Sequence, residues 1–158
     1  MSKFFEVGWV CLFKKESVVM SSLQPHITFH GMCRDALQFY TDALGGKIVT
    51  LSTFDESPVE FPSHFLNRVM HAEFVSPELS FLASDGLDDS LAQGSGDIAF
   101  HVSFTEQRRQ GVIFSALSDQ GQIIMPLDYT FWGVRFGMVT DKFGVRWMLS
   151  CSAENPED

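Results

Sequence analysis

The chain has 158 residues, enough for one compact domain or for two small modules that share a core. Its formal charge of −9, from 20 acidic against 11 basic residues, leaves no broad face for phosphates and argues against a nucleic-acid partner. Three scattered cysteines, Cys11, Cys33 and Cys151, show no C-x-x-C spacing; they indicate neither a disulfide framework nor a zinc knuckle and predict a reducing, cytoplasmic setting.

Residues 1–22, MSKFFEVGWVCLFKKESVVMSS, are interrupted by Glu6 and lack a small-residue cleavage site, so a signal peptide is not expected. Their apolar stretch is also too short to span a membrane. They read as an extension ahead of the domain, with Met20-Ser-Ser as the natural start. An arm that packs on the domain or on a second subunit is the alternative.

Residues 24–30 alternate, with Ile27 and Phe29 on one face and His26, Thr28 and His30 on the other, which predicts a half-buried strand. Over 33–44 the period changes. Ala36, Leu37, Tyr40, Ala43 and Leu44 recur at helical spacing, and Gly45-Gly46 supplies a left-handed stop. Cys33 falls at the helix start, where a thiol can be acidified, or is simply buried and inert.

A second strand is predicted over 47–53. Residues 54–67, with Pro58 and Pro62, read as a mobile connection, and 69–75 and 79–83 as strands joined by a turn at Ser76-Pro77. The acidic, glycine-rich DGLDDSLAQGSG reads as a linker. Its glycines precede a strand, whereas those of a dinucleotide cradle follow one and open a helix.

After the linker the order restarts. Residues 97–104 alternate, and Thr105 is a candidate helix cap. The following helix places Val112, Ile113, Ala116 and Leu117 on its apolar face and ends at Gly121. Strands are predicted over 122–126, 134–140 and 145–151, the last two joined by a turn at Lys142-Phe143-Gly144.

PHITFH at 25–30 and GDIAFH at 96–101 suggest a repeat. His26/Asp97, Ile27/Ile98, Phe29/Phe100 and His30/His101 stand 71 positions apart, while Gly46-Lys-Ile-Val and Gly121-Gln-Ile-Ile stand 75 apart. Each half reads strand, helix, strand, strand, strand. One such half leaves a sheet face bare, and two can enclose a hollow. The predicted organisation is an N-terminal extension (1–22), a first βαβββ module (23–84), a linker (85–96), a second module (97–152) and a tail (153–158). The fold class is α+β, a curved mixed sheet around a cleft.

The segments ALQFYTDALGG, VMHAEF and above all MPLDYTFWGVRFGMVTDKFGVRWM carry a resemblance. Over about residues 25–151 the chain resembles the vicinal oxygen chelate superfamily, which includes glyoxalase I, bleomycin-resistance proteins and extradiol dioxygenases. It is most similar to the PhnB-like branch, often labelled 3-demethylubiquinone-9 3-methyltransferase. The resemblance implies a metal site with one residue from the first and one from the last strand of each module. Those slots fall on His26 and Asp97, and close to Leu82 and Met148, with Ser80 or Arg146 as the nearby substitutes. Histidine and aspartate suit a divalent cation, leucine does not, and methionine is a poor ligand for hard ions. No resident metal or other cofactor is expected; a labile divalent ion at His26 and Asp97 is the most that remains. Methyl transfer from S-adenosylmethionine is not expected either, since a glycine-rich loop after a first strand and an acidic residue for the ribose are both missing.

If Ile27, Phe29, Ile98 and Phe100 face the helices, then His26, Thr28, His30, Asp97, Ala99 and His101 line the hollow. His71 and Glu73, two apart on a strand, share a face where a carboxylate can orient an imidazole as a general base. The same pattern suits a satisfied surface histidine or a dimer contact. Phe131 and Trp132 are costly to expose and are predicted to cover the cleft or meet a second subunit. Arg135 is a candidate for an anionic ligand group, or pairs with Asp128; Trp147 reads as core.

The expected function is small-molecule binding in the inter-module cleft through His26, Thr28, Asp97, His101, Trp132 and Arg135. A lyase or isomerase using His71 and Glu73 is the alternative, and a module whose aromatic surface serves only assembly is a third. A homodimer is expected, without nucleic-acid or membrane partners.

Overall fold

The computed structural model describes residues 23–87 and 96–152; the predicted extension, most of the linker and the tail lie outside the described residues. The first half contains β1 (His26–Thr28), α1 (Cys33–Leu44), β2 (Lys47–Thr53), β3 (Val69–Val75) and β4 (Ser80–Ser84). The second contains β5 (Phe100–Phe104), α2 (Gln107–Leu117), β6 (Gln122–Tyr129), β7 (Val134–Thr140) and β8 (Arg146–Ser152). Each half forms its own four-stranded sheet, in the orders β1-β4-β3-β2 and β5-β8-β7-β6. The pairs β1/β4 and β5/β8 are parallel and the others antiparallel. This is the predicted α+β, twice βαβββ architecture.

Helix α1 forms where its apolar stripe predicts. Cys33, Ala36, Leu37, Tyr40, Ala43 and Leu44 are buried, and Gly45 closes the helix at φ 65°. Phe74 and Phe81 of the first sheet lie under the Tyr40 ring at 6.3 and 5.4 Å. Val102, Phe104, Val139, Trp147 and Leu149 of the second sheet join Ile113, Phe114 and Leu117 of α2 in the same core. The covered faces of both sheets therefore drain into one apolar interior, and each sheet keeps an open face.

Several local expectations are corrected. On α2, Val112 is 55% exposed and a polar residue, Gln110, takes an inner position. Its amide satisfies itself there by donating to the carbonyls of Arg135 at 2.9 Å and Leu149 at 3.1 Å. The residue capping α2 is Glu106 and not Thr105. The connection after β2 is packed: two short 3₁₀ turns, Phe54–Glu56 and Ser63–Phe65, bring the Phe54 ring to 4.9 Å from Phe61 and 6.2 Å from Phe65. Phe54 and Phe65 are buried, while Pro58, Val59 and Pro62 stay exposed.

The register of the repeat also changes. β5 begins at Phe100, so residues 97–99 lie ahead of the strand. In the first sheet His26 stands opposite Leu82, which stands opposite Glu73. In the second, His101 stands opposite Met148, which stands opposite Met138. His101 thus holds the place of His26, and Val102, Ser103 and Phe104 those of Ile27, Thr28 and Phe29. The offset is 75, the same as between Gly46 and Gly121. The 71-residue likeness of PHITFH to GDIAFH does not correspond to equivalent positions.

The two halves are tied through buried polar and aromatic contacts. The Tyr40 hydroxyl donates to Asp141 at 2.7 Å, and the Trp147 indole N–H donates to the same carboxylate oxygen at 2.9 Å. Burial, with the Asp141 charge beside it, raises the Tyr40 phenol well above its ordinary range. Phe143 packs on Phe29 and Phe39 at 6.0 and 5.6 Å. Arg109 of α2 reaches across to Glu78 at 2.8 Å and to the Leu44 carbonyl at 2.6 Å.

Candidate functional site

On the open face of the first sheet, pairing places His26, Leu82, Glu73 and Thr50 in one row across β1, β4, β3 and β2. Thr28 and His71 share that face and are exposed. His71 stands opposite Ser52, whose hydroxyl donates to the His71 carbonyl at 3.5 Å. Among the described residues no hydrogen bond joins the His71 and Glu73 side chains; the strand brings them to one face without coupling them.

The open face of the second sheet is more organised. One row reads His101, Met148, Met138, Met125 and the next reads Ser103, Ser150, Phe136, Asp128. His101 Nε2 lies 2.9 Å from Ser150 Oγ, which lies 3.3 Å from Ser103 Oγ. The Phe136 ring stands 6.5 Å from the imidazole. A chain of three groups, each able to donate or accept, is therefore set beside an aromatic ring and two half-buried thioethers, Met138 and Met148.

Other candidates fall elsewhere. Asp97 lies in a turn ahead of β5, and Ile98 is 67% exposed, so it does not face a helix. Phe100 does face inward, 5.4 Å from Trp147. His30 leaves the strand in a turn at φ 50°. Arg135 points to the helix side: its guanidinium donates to the Gln107 carbonyl at 2.9 Å, beneath the start of α2, and so neither meets Asp128 nor reaches the open face. Asp128 instead accepts from the Tyr129 N–H. Phe131 and Trp132 form the tip of the β6–β7 hairpin, stacked edge-to-face at 4.5 Å and exposed at 98% and 61%.

Between the halves, Pro25, Leu79, Phe81, Phe100, His101 and Trp147 border a crevice of about 110 Å³. That is well below the roughly 300–1,000 Å³ of a pocket for a drug-sized ligand. Of the predicted binding residues, His101 alone borders it.

The side chains do not fit the metal site that the fold suggests. Among the described residues no three His, Cys, Asp or Glu side chains converge. His26 faces Leu82 and His101 faces Met148, so neither first-strand histidine has a hard donor across from it. Nor does the start of α1 offer an anion site. Asp85 Oδ1 already accepts the N–H groups of Gly31 and Cys33, and Oδ2 that of Val69, each at 2.8 Å. Burial, with Asp85 adding to it, pushes the Cys33 thiol up to about 12, which is the inert reading of that residue.

Ser103, Ser150, Phe136 and Met138 were not singled out by sequence reasoning. Alternation along 100–104 and 146–152 points to the two serines once His101 is aligned with His26. No helix among the described residues is long and apolar enough to cross a membrane.

Comparison with known proteins agrees with this architecture. Residues 21–150 match the family described as 3-demethylubiquinone-9 3-methyltransferase. Protein YjdN of Escherichia coli K12 is 30% identical over 148 residues, covering 85% of this chain and 97% of YjdN. Protein PA1353 of Pseudomonas aeruginosa is 34% identical with a TM-score of 0.73, covering 84% of this chain and 100% of that one. The PhnB protein of Bacillus cereus is 25% identical with a TM-score of 0.68, again over 84% and 100%. In fold alone the chain is also similar to a glyoxalase/bleomycin resistance/dioxygenase superfamily member from Sphaerobacter thermophilus, at 16% identity and a TM-score of 0.52, over 85% and 100%. By family match and sequence identity, with the doubled βαβββ fold in agreement, this chain belongs to the PhnB-like family described as 3-demethylubiquinone-9 3-methyltransferase.

Proposed function

We propose that the chain binds a small molecule on the open face of its second sheet. The observation that carries this reading is the hydrogen-bonded series His101–Ser150–Ser103 set beside Phe136, Met138 and Met148. Hydroxyls and a neutral imidazole re-aim their protons to suit a ligand, and thioethers adapt to its outline. The matching ligand is flat and partly aromatic, with one group that gives or accepts a hydrogen bond. The charge of −9 favours a neutral or cationic one.

A sheet face in one chain is shallow. Ile123, Ile124 and Met125 of β6, with the Phe131–Trp132 tip, are the exposed apolar surface that a second copy would cover. The homodimer is therefore part of this reading, as is a reducing cytoplasm, in which the buried Cys33 thiol persists. Methyl transfer forms no part of this reading: the amides that open α1 are engaged by Asp85. A lyase or isomerase with His71 as base has weaker support, because Glu73 does not orient that imidazole.

The test is a panel of planar phenols and aromatic amides, read by thermal shift and then calorimetry. A hit should lose about tenfold in affinity in His101→Ala and in Ser150→Ala, the worth of one hydrogen bond at about 1.4 kcal/mol. His71→Ala should bind as the parent does. Binding that survives both the His101 and the Ser150 replacements overturns the assignment.

A further inference from the structure

The row that crosses the second sheet has a composition that apolar packing alone does not require. His101, Met148, Met138 and Met125 stand directly opposite one another on β5, β8, β7 and β6. Three of the chain's 7 methionines thus share one line with a histidine on an uncovered face. The equivalent row of the first sheet reads His26, Leu82, Glu73, Thr50 and holds no sulfur.

We propose that this row binds a soft monovalent cation, Cu(I) or its stand-in Ag(I), between the His101 imidazole and the thioethers of Met148 and Met138. Neighbouring strands lie about 4.7–4.9 Å apart, so a cation above Met148 is within reach of a side chain from the strand on each side. Uncharged thioethers are poor partners for Mg²⁺, Ca²⁺ or Zn²⁺ and good ones for Cu(I), and imidazole completes a three-coordinate set. A ligating histidine generally gives its second ring N–H to an oxygen. His101 Nε2 lies 2.9 Å from Ser150 Oγ; in the tautomer whose Nε2–H donates to that hydroxyl, the Nδ1 lone pair is left for the cation. The acidic surface adds a general attraction for positive charge. This site does not depend on the small-molecule reading, although it uses the same imidazole.

The experiment titrates the full chain anaerobically with Cu(I) against a chromophoric Cu(I) chelator, in a Cys11→Ser background that removes a thiol competitor. One Cu(I) per chain is expected, with X-ray absorption showing sulfur and nitrogen neighbours. The conservative pair Met138→Leu with Met148→Leu should weaken binding at least a hundredfold without lowering thermal stability, while His26→Ala leaves it unchanged. Absence of uptake in the Cys11→Ser protein, or uptake that the double leucine replacement does not weaken, overturns the proposal. Cu(I) uptake by a protein that binds none of the planar panel leaves the metal site standing alone, and binding of the panel without Cu(I) uptake leaves only the small-molecule reading.

Discussion

Asp85 accepts three main-chain N–H groups from two different segments, and the Cys33 thiol is buried beside it. Local sequence places Cys33 at a helix start, where acidification is one outcome. The distant carboxylate reverses it, since Asp85 lies 52 positions away in the chain and no local pattern reveals it. Two results follow. At pH 8 a thiol-alkylating reagent should leave the Cys33 peptide unmodified in the native protein and modify it in denaturant, as read by peptide mass mapping. The native state also holds this proton from its ordinary value of 9.0 up to about 12. The corresponding stability is complete below pH 9 and is lost as pH rises towards 12, with the raised Tyr40 phenol acting in the same direction. A urea midpoint that climbs over this interval would contradict it.

At the level of the elements, Gly46 and Gly121 show what the repeat encodes. A Cβ on Gly46 would stand 2.6 Å from the Val75 carbonyl oxygen, and one on Gly121 would stand 2.5 Å from that of Thr140. Each glycine begins the strand after its helix by passing against the end of the third strand of its half, and backbone cannot step aside as a side chain can. Gly46→Ala and Gly121→Ala should each cost about 1–3 kcal/mol of stability in a urea titration. The order of elements and most boundaries were legible because α1, β2, β3 and β7 carry clean periodicity between turn residues. The register of β5 was not. GDIAFH imitates PHITFH in letters, yet sheet pairing is decided by which residues bury, and Val102 and Phe104 do so while Ile98 does not. Aligning on the glycines recovers the offset of 75 and, with it, His101 as the counterpart of His26.

For the whole molecule, Tyr40 is the side chain on which the two halves converge, meeting Phe81 of one sheet and Trp147 of the other at 5.4 and 5.9 Å. Tyr40→Phe keeps the rings and removes the donor to a buried carboxylate, so stability should fall by about 1.5–3 kcal/mol. Calorimetry should still show one unfolding transition; two would mean that the halves melt independently. Duplication was readable in the sequence, but the relation between the halves was not, because it depends on contacts such as Tyr40–Asp141 across 101 positions. The candidate site was legible only in His101. Its partners Ser103 and Ser150 are ordinary residues whose meaning comes from strand pairing, and Arg135, attractive as a lone cation, is spent beneath α2.

Because every ladder closes within its own half, the first sheet has all four strands as soon as Ser84 has left the ribosome. The rings of Phe143 and Trp147, which cover one side of Tyr40, are translated last. At about 5–20 residues per second the nascent first half waits roughly 3–12 s with an aromatic patch bare to solvent. During that interval the growing chain is most exposed to capture by chaperones or by a neighbouring copy on the same polysome.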